Sequence, residues 1–200
     1  MEKIRVVLSE NLKPKGDMKN LGFGKIFTDH MFLMDYDRAK GWYDPRIVPF
    51  APFQISPASV VLHYAPEFFE GMKAYRTSEG HIQLFRPTEN IKRMNISAER
   101  MCLPELDEEL FLEALKKLVT VEQDWVPSEP FTSLYIRPFM FASDEVMGIH
   151  TPQNCIFAII LSPVGSYFKE GVNPVKMYIE QEDVRAVRGG TGYAKCGGNY

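Results

Sequence analysis

The sequence has few cysteines and none of the spacings that mark a metal site. Three cysteines, Cys102, Cys155 and Cys196, occur among 200 residues. Their number is odd and no CxxC pair is present, which argues against a disulfide framework and against a zinc site. The four histidines show no ligand spacing either. Free thiols are typical of a reducing compartment, so a cytoplasmic protein without a bound metal is predicted.

Long apolar runs and an excess of one charge are lacking too. The longest apolar run, CIFAIIL at residues 155–161, is far shorter than the roughly 20 residues of a membrane-spanning helix. The first residues, MEKIRVVLSENLKPKG, do not fit a secretory signal. A net charge of −3, with lysine and arginine scattered along the chain, gives no basis for binding nucleic acid or an anionic membrane surface. Neither kind of partner is expected.

Strand-forming residues and turn signals predict several β-strands. The segment KIFTDHMFLMDYD (25–37) is rich in β-branched and aromatic residues and has a candidate hairpin partner in GWYDPRIVPF (41–50). MKAYR and HIQLFR flank a polar turn and predict a second hairpin over residues 72–86. TSLYIRPFMF (132–141) and NCIFAIILSPV (154–164) are expected to be central strands.

Helical periodicity predicts two longer helices and one short one. After Pro87, the stretch TENIKRMNISAERM places apolar residues three and four apart, with Thr88 as its N-cap. A second helix is expected from Asp107 to about Gln123, with acidic residues in its first turn. Pro66 is expected to open a short helix, PEFFEG. Because strands and helices mix without a regular βαβ alternation, the predicted fold class is α+β.

The last twelve residues, GGTGYAKCGGNY, form a glycine-rich segment (residues 189–200) around Lys195. Glycines let a backbone approach a ligand closely, and successive exposed amides can bind an anion. The spacing of Lys195 differs from that of a GxxxxGK[ST] phosphate loop. Composition fits two alternatives: a flexible loop with a surface lysine, or a partly desolvated pocket in which a neutral amine forms a Schiff base.

Other polar residues also have a structural and a functional interpretation. Arg93, on the predicted helix, is either solvated or a phosphate-binding group, because a guanidinium matches phosphate oxygens. Tyr135 and Arg137 are two residues apart and therefore share one face of a strand, where Arg137 would pair with a structural or a substrate carboxylate. Asp29 and His30 in FTDHM are predicted to be structural.

Six segments together resemble the branched-chain amino acid aminotransferases, which are pyridoxal-phosphate enzymes of fold type IV. The resemblance extends from about residue 21 to the last residue. Each segment alone is modest evidence, but all six occur in the order of the family. They are LGFGKIFTDHM, LHYAPEFFEGMKAYR, LFRPTENIKRMNISAERMCLP, SLYIRPFMF, LSPVGSYF and GGTGYAKCGGNY.

The resemblance implies a role for individual residues. Lys195 matches the lysine that is linked covalently to pyridoxal phosphate, Tyr200 the tyrosine that bonds the cofactor's phenolic oxygen, and Arg93 the arginine that binds its phosphate. Walls of the substrate side-chain pocket are implied at Phe23, Phe69, Tyr135 and Tyr167. Groups that reach the active site of the other subunit are implied at Tyr64, Arg137 and the loop from Met147 to Ile149. The last set implies a homodimer.

The resemblance also implies an organisation and an activity. Residues 1–169 would form the small N-terminal domain, 170–182 the interdomain linker and 183–200 the start of the large domain, whose remainder follows GGNY in the family. The implied reaction moves the amino group between L-leucine, isoleucine or valine and 2-oxoglutarate. Two alternatives stay open: a related enzyme of the same fold (a D-amino acid aminotransferase or an aminodeoxychorismate lyase), or a catalytically incomplete domain.

Overall fold

A curved mixed sheet organises the computed structural model, which describes residues 3–18, 20–167 and 173–200. Within these ranges the sheet has eight strands, in the order β1-β3-β2-β8-β7-β5-β6, with β4 paired to β7. The β1–β3 pair is parallel and every other pair is antiparallel. The strands are β1 Arg5–Val6, β2 His30–Asp37, β3 Gly41–Pro49, β4 Glu67–Phe69, β5 Met72–Arg76, β6 Ile82–Leu84, β7 Ser133–Ala142 and β8 Asn154–Val164.

Three α-helices accompany the sheet in the described part of the chain: α1 Val61–Tyr64, α2 Pro87–Met101 and α3 Glu108–Val121. The apolar residues of α2 and α3 recur at helical spacing and are buried in one core with the inner face of the sheet. The carboxylate of Asp107 caps α3 by accepting a hydrogen bond from the Leu110 amide at 2.8 Å. The α+β fold class is confirmed, as are the two predicted hairpins and both longer helices.

Two local predictions are wrong. The expected helix PEFFEG is instead β4, because Ala65 takes a left-handed conformation that ends α1 and Phe68 pairs with Met140 on β7 in a buried position. Thr88 is not the N-cap of α2. That helix already begins at Pro87, and Arg86 occupies the N-cap position with φ at 46°.

The proposed division into two domains and a linker stays a prediction. The boundary between residues 169 and 170 lies outside the described residues. None of the helices in the described ranges has the length and apolar character needed to span a bilayer. In those same ranges, no group of three or more histidine, cysteine or acidic side chains is placed to hold a metal ion.

A buried polar network joins the start of β2 to the end of α3. Trp125 donates its indole N–H to Asp29 at 2.7 Å, and the Asp29 amide donates to Glu122 at 3.3 Å. His30 Nε2 accepts the Ser9 amide at 2.8 Å, so the ring proton is on Nδ1 and is donated to Glu122. Burial raises the pKa of Glu122, whereas the bonds from His30 and Asp29 stabilise its ionised form. Asp29 and His30 thus have the structural partners that were predicted.

Candidate active site

The main chain on either side of Lys195 is fixed to the body of the fold. The Lys195 amide donates to the Ser97 hydroxyl on α2 at 2.9 Å, and the Lys195 carbonyl accepts the Phe69 amide of β4 at 3.0 Å. Two residues further on, the Gly197 amide donates to the Glu67 carboxylate. A Cβ at Gly197 would collide with that carboxylate, so a larger residue at this position would displace the Glu67 side chain from its bond. The Lys195 side chain therefore leaves a firmly held backbone.

Asn199 closes the glycine-rich segment from within. Its side-chain amide donates to the carbonyls of Thr191 at 2.9 Å and Ala194 at 2.7 Å, and its oxygen accepts the Thr191 hydroxyl at 2.9 Å. Asn199 is buried, and the 3-10 turn Gly197–Asn199 brings it back over the loop. The segment has its own hydrogen-bonded architecture, which disfavours the alternative of a flexible loop with a surface lysine.

The amine of Lys195 lies among aromatic rings. Lys195 Nζ donates to the Tyr200 hydroxyl at 3.2 Å and lies 4.7 Å from the centre of the Phe69 ring. The rings of Phe69 and Tyr200 are 5.6 Å apart. An amine over aromatic faces is attracted to them when it is protonated, and it is shielded from part of the solvent in either state. The structure thus brings Lys195, Tyr200 and Phe69 together.

Arg93 is paired with a buried acid that the sequence did not indicate. Its Nε and Nη2 donate to the two oxygens of Glu70 at 2.5 and 2.8 Å. Glu70 is fully buried and also accepts from Asn90 at 2.9 Å and from the Gly71 amide at 3.1 Å. Glu70 raises the pKa of Arg93, with a smaller contribution from nearby Tyr200. The Arg93 side chain is about 53% exposed, and Nη1 takes no part in the bonds to Glu70, so the guanidinium is a fixed cation with donor capacity left for a further anion.

Replacing Glu70 with glutamine is expected to reduce the free energy of unfolding by about 2 kcal/mol, because an amide cannot accept all four of these donors in a buried site. Urea unfolding followed by circular dichroism measures the change. Glu89→Gln on α2 is the matched control, since that carboxylate is exposed and its ion pairs are weak. Equal stability of the two variants would contradict the importance of the Glu70 contacts.

A second group of predicted residues continues from Phe69 along β7. The Arg137 guanidinium lies 4.5 Å from the centre of the Phe69 ring and donates to the Tyr135 hydroxyl at 2.9 Å. Phe23 packs against Tyr135 at 4.9 Å and against Tyr167 at 5.4 Å between ring centres. A continuous surface, aromatic apart from one guanidinium, therefore extends from Lys195 to Tyr167.

Ser162 is a site residue that the sequence analysis missed. It lies opposite Tyr135 in the β7–β8 ladder and lines a cavity of about 180 Å³ with Phe23, Phe27 and Arg137. Its hydroxyl is buried and has no hydrogen-bond partner among the described residues. Only the register of the two strands places it beside Tyr135, and the sequence alone does not supply that register.

Tyr64, Met147 and Ile149 lie apart from this group. The Tyr64 hydroxyl donates to the Met147 carbonyl at 2.9 Å, and all three side chains are exposed. Among the described residues, no hydrogen bond or ring contact joins them to Lys195, Tyr200 or Phe69. Arg137, which the resemblance grouped with them, lies beside Phe69 and Tyr135 of its own chain, and its role toward a second subunit stays a prediction.

The fold matches about half of the chain of solved fold type IV aminotransferases. Solved structures with the same fold include the branched-chain amino acid aminotransferase of Escherichia coli, with a TM-score of 0.59 and 22% identity over 86% of this chain and 52% of that one. The T.th. branched-chain amino acid aminotransferase complexed with N-(5'-phosphopyridoxyl)-L-glutamate has a TM-score of 0.51 and 21% identity over 90% of this chain and 51% of that one. No model of a protein family matches the chain.

The chain is more similar in sequence to its curated relatives than to those two solved structures. The chain is 53% identical over 197 residues to branched-chain-amino-acid aminotransferase 2 of Bacillus subtilis, covering 98% of this chain and 54% of that protein. It is 52% identical over 200 residues to a probable branched-chain-amino-acid aminotransferase of Staphylococcus epidermidis, covering 100% of this chain and 56% of that protein. The resemblance found in the sequence is confirmed: the chain is homologous over nearly its whole length to branched-chain-amino-acid aminotransferases. It spans about half the length of the curated relatives it matches.

Proposed function

We propose that the chain carries the lysine-bearing part of a branched-chain-amino-acid transaminase, which moves the amino group between L-leucine, isoleucine or valine and 2-oxoglutarate with pyridoxal 5'-phosphate as cofactor. The observation that supports this most directly is the proximity of three groups. The Lys195 amine bonds the Tyr200 phenol within the glycine-rich segment, and the Arg93 guanidinium on α2 is near enough to Tyr200 for that phenol to influence its pKa. The names of the homologues agree with this activity.

The donor set fits the cofactor. Pyridoxal phosphate has an aldehyde, a phenolic oxygen and a phosphate, which require an amine, a hydroxyl donor and a cation respectively. Lys195 Nζ and the Tyr200 hydroxyl are 3.2 Å apart, and Arg93 is held in place by Glu70 with part of its guanidinium exposed. Two solved structures of the T.th. enzyme are described with a phosphopyridoxyl-glutamate adduct and with pyridoxamine 5'-phosphate. We therefore assign these three residues to the cofactor.

When bound, the cofactor supplies the carbonyl carbon that receives the amino group and a ring that accepts the electrons of the α-carbon. Lys195 would hold the cofactor covalently. Once displaced by the incoming amino acid, its Nζ would take the α-proton as a base and then donate that proton as an acid to the cofactor's carbonyl carbon. The Tyr200 hydroxyl, which accepts a hydrogen bond from Lys195 Nζ, would donate its own proton to the phenolic oxygen and keep the amine in place. Arg93 neutralises the phosphate.

The surface from Phe69 to Tyr167 suits a branched apolar side chain. Its rings would remove that side chain from water, a gain of about 0.8 kcal/mol for each methylene. The same pocket must also bind the second carboxylate of glutamate. Arg137 supplies a charge for it, and the unpaired hydroxyl of Ser162 supplies a hydrogen bond. This mixture of walls and donors is what a transaminase with two different substrates requires.

The exposed group formed by Tyr64, Met147 and Ile149 is proposed to contact a second copy of the chain. Exposed apolar side chains of this size are typical of protein interfaces. The functional unit would then be a cytoplasmic homodimer that acts on small molecules, without nucleic acid or membrane as partner.

Two experiments separate this proposal from its alternatives. Mixing the purified chain with pyridoxal phosphate tests cofactor retention through a visible absorption band, which a catalytically incomplete domain would not show. Comparing L-leucine with D-alanine as amino donor then distinguishes a branched-chain transaminase from a D-amino acid aminotransferase. Conversion of D-alanine alone would overturn the proposed substrate class.

Replacing Arg93 with alanine is expected to weaken pyridoxal phosphate binding about tenfold to a hundredfold, the range for losing a charge-assisted hydrogen bond. An absorption titration measures the dissociation constant. Lys92→Ala, an exposed cation next to Arg93 on the same helix, is the control and should change affinity little. Unchanged affinity in Arg93→Ala would remove Arg93 from the cofactor site.

A further inference from the structure

Two side chains from distant elements bind the main chain around Lys195. Ser97 is fully buried on α2, and its hydroxyl accepts the Lys195 amide at 2.9 Å. Glu67 is half-buried on β4, and its carboxylate accepts the Gly197 amide. These contacts cross 98 and 130 residues of sequence, so neither arises from local chain geometry.

The position of Ser97 on α2 relates it to the phosphate end of the site. Ser97 follows Arg93 by four residues, so the two side chains lie on the same face of the helix about one turn apart. Arg93 is itself fixed by its paired bonds to Glu70. One rigid helix therefore sets both the guanidinium and the anchor of the lysine main chain.

A buried serine in a helix commonly bonds a carbonyl of its own preceding turn. The Ser97 hydroxyl instead bonds the Lys195 amide. Glu67 likewise accepts a main-chain amide of the lysine segment, that of Gly197. Burial raises the pKa of Glu67, while the Gly197 amide and the charge of Arg137 stabilise the ionised carboxylate. Glu67 thus bonds the lysine segment directly, and the charge of Arg137 favours its ionised form.

We propose that Ser97 and Glu67 are positioning residues: their bonds to the Lys195 and Gly197 amides fix the distance between the Lys195 amine and the Arg93 guanidinium. That distance must match the span of the cofactor from its aldehyde to its phosphate. Misplacement of reacting groups by about 1 Å can lower a rate a hundredfold. The inference rests on the proposed function, in which Lys195 is linked to pyridoxal phosphate.

Four variants of the full 200-residue chain test the proposal. Ser97→Ala and Glu67→Leu remove the acceptors, whereas Ser97→Thr and Glu67→Gln keep an acceptor oxygen. Each is titrated with pyridoxal phosphate, reduced with borohydride and analysed by mass spectrometry for the label on Lys195. The visible spectrum of each loaded variant is recorded as a function of pH, and circular dichroism reports the fold.

Ser97→Ala and Glu67→Leu, which lack the acceptor, are expected to bind the cofactor about tenfold more weakly, the ratio for one lost buried hydrogen bond. The pH midpoint of their visible spectra should shift from that of the unmodified chain. Ser97→Thr and Glu67→Gln should retain a cofactor affinity within about twofold of that of the unmodified chain, since each keeps an acceptor oxygen. Their pH midpoints should not shift.

The outcomes separate two kinds of failure. If the unmodified chain gives no label on Lys195, the proposed function fails and the positioning roles fail with it. If the unmodified chain is labelled but Ser97→Ala and Glu67→Leu bind and absorb identically to it, the positioning roles alone are overturned. The positioning roles are overturned as well in a second case. In that case Ser97→Ala and Glu67→Leu lose their fold, and Ser97→Thr and Glu67→Gln also lose affinity for the cofactor.

Discussion

Replacing Lys195 with alanine is expected to abolish the covalent retention of pyridoxal phosphate and to lower transamination by at least about a thousandfold. The effect is large because one amine serves two steps, the attachment of the cofactor and the transfer of the α-proton. Among the described residues, no second lysine amine lies over the rings of Phe69 and Tyr200. Borohydride reduction and peptide mass spectrometry of the cofactor-loaded chain measure the loss directly.

Two controls sharpen this experiment. Lys195→Arg keeps the positive charge but cannot condense with an aldehyde, so it should lose the label as completely as Lys195→Ala does. Lys116→Ala removes an exposed lysine on α3 and should leave labelling unchanged. A reducible label on any lysine other than Lys195 in the unmodified chain would contradict the assignment.

Local patterns were enough to place most of the secondary structure. The hairpin at residues 72–86, the apolar faces of α2 and α3, and the long strands β7 and β8 follow from spacing within a few residues. Strand β4 was mistaken for a helix because Pro66 and the run after it fit a helical start. Its strand conformation depends on pairing with β7, a segment far later in the chain. Interactions between distant segments overrode the local preference there.

Residue type and resemblance predicted which side chains lie near one another at the site, but they did not predict the pairing partners of those side chains. Lys195, Tyr200 and Phe69 were predicted together and are found together. The acceptors that hold the site in place were not foreseen. Glu70 and Ser97 contact residues 23 and 98 positions away, and the sequence contains no signal for such partners.

For Arg137 too, the neighbour on the same strand was predicted, whereas contacts with distant segments were not. Its residue type and its place beside Tyr135 were identified correctly, and the bond to the Tyr135 hydroxyl on the shared strand face agrees with that. The resemblance assigned Arg137 to the neighbouring subunit's site, and that assignment stays a prediction. Within its own chain, the Arg137 guanidinium lies 4.5 Å from the centre of the Phe69 ring, which also contacts Lys195. Which surface a strand face meets is decided by the curvature of the sheet, and sequence periodicity does not encode that curvature.

Replacing Glu122 with alanine is expected to lower the free energy of unfolding by about 3–5 kcal/mol, the cost of removing one partner from a buried ionic or hydrogen-bonded pair. Glu122 accepts from His30 and from the Asp29 amide, and both donors would be left without an acceptor in the core. The loss should spread to the N-terminal segment, because the Ser9 amide is bound to the same imidazole. Urea unfolding followed by tryptophan fluorescence suits the measurement, since Trp125 belongs to the network.

Glu122→Gln and Glu113→Ala complete the series. Glutamine keeps the shape of the side chain and one acceptor, so a smaller loss of about 1–3 kcal/mol is expected. Glu113 is an exposed acid on the same helix, and its removal should change stability by less than about 0.5 kcal/mol. If Glu122→Ala unfolded at the same urea concentration as Glu113→Ala, water would have replaced the carboxylate at no cost. The network would then contribute little to stability, and contacts other than the bond to His30 would hold the N-terminal segment in place.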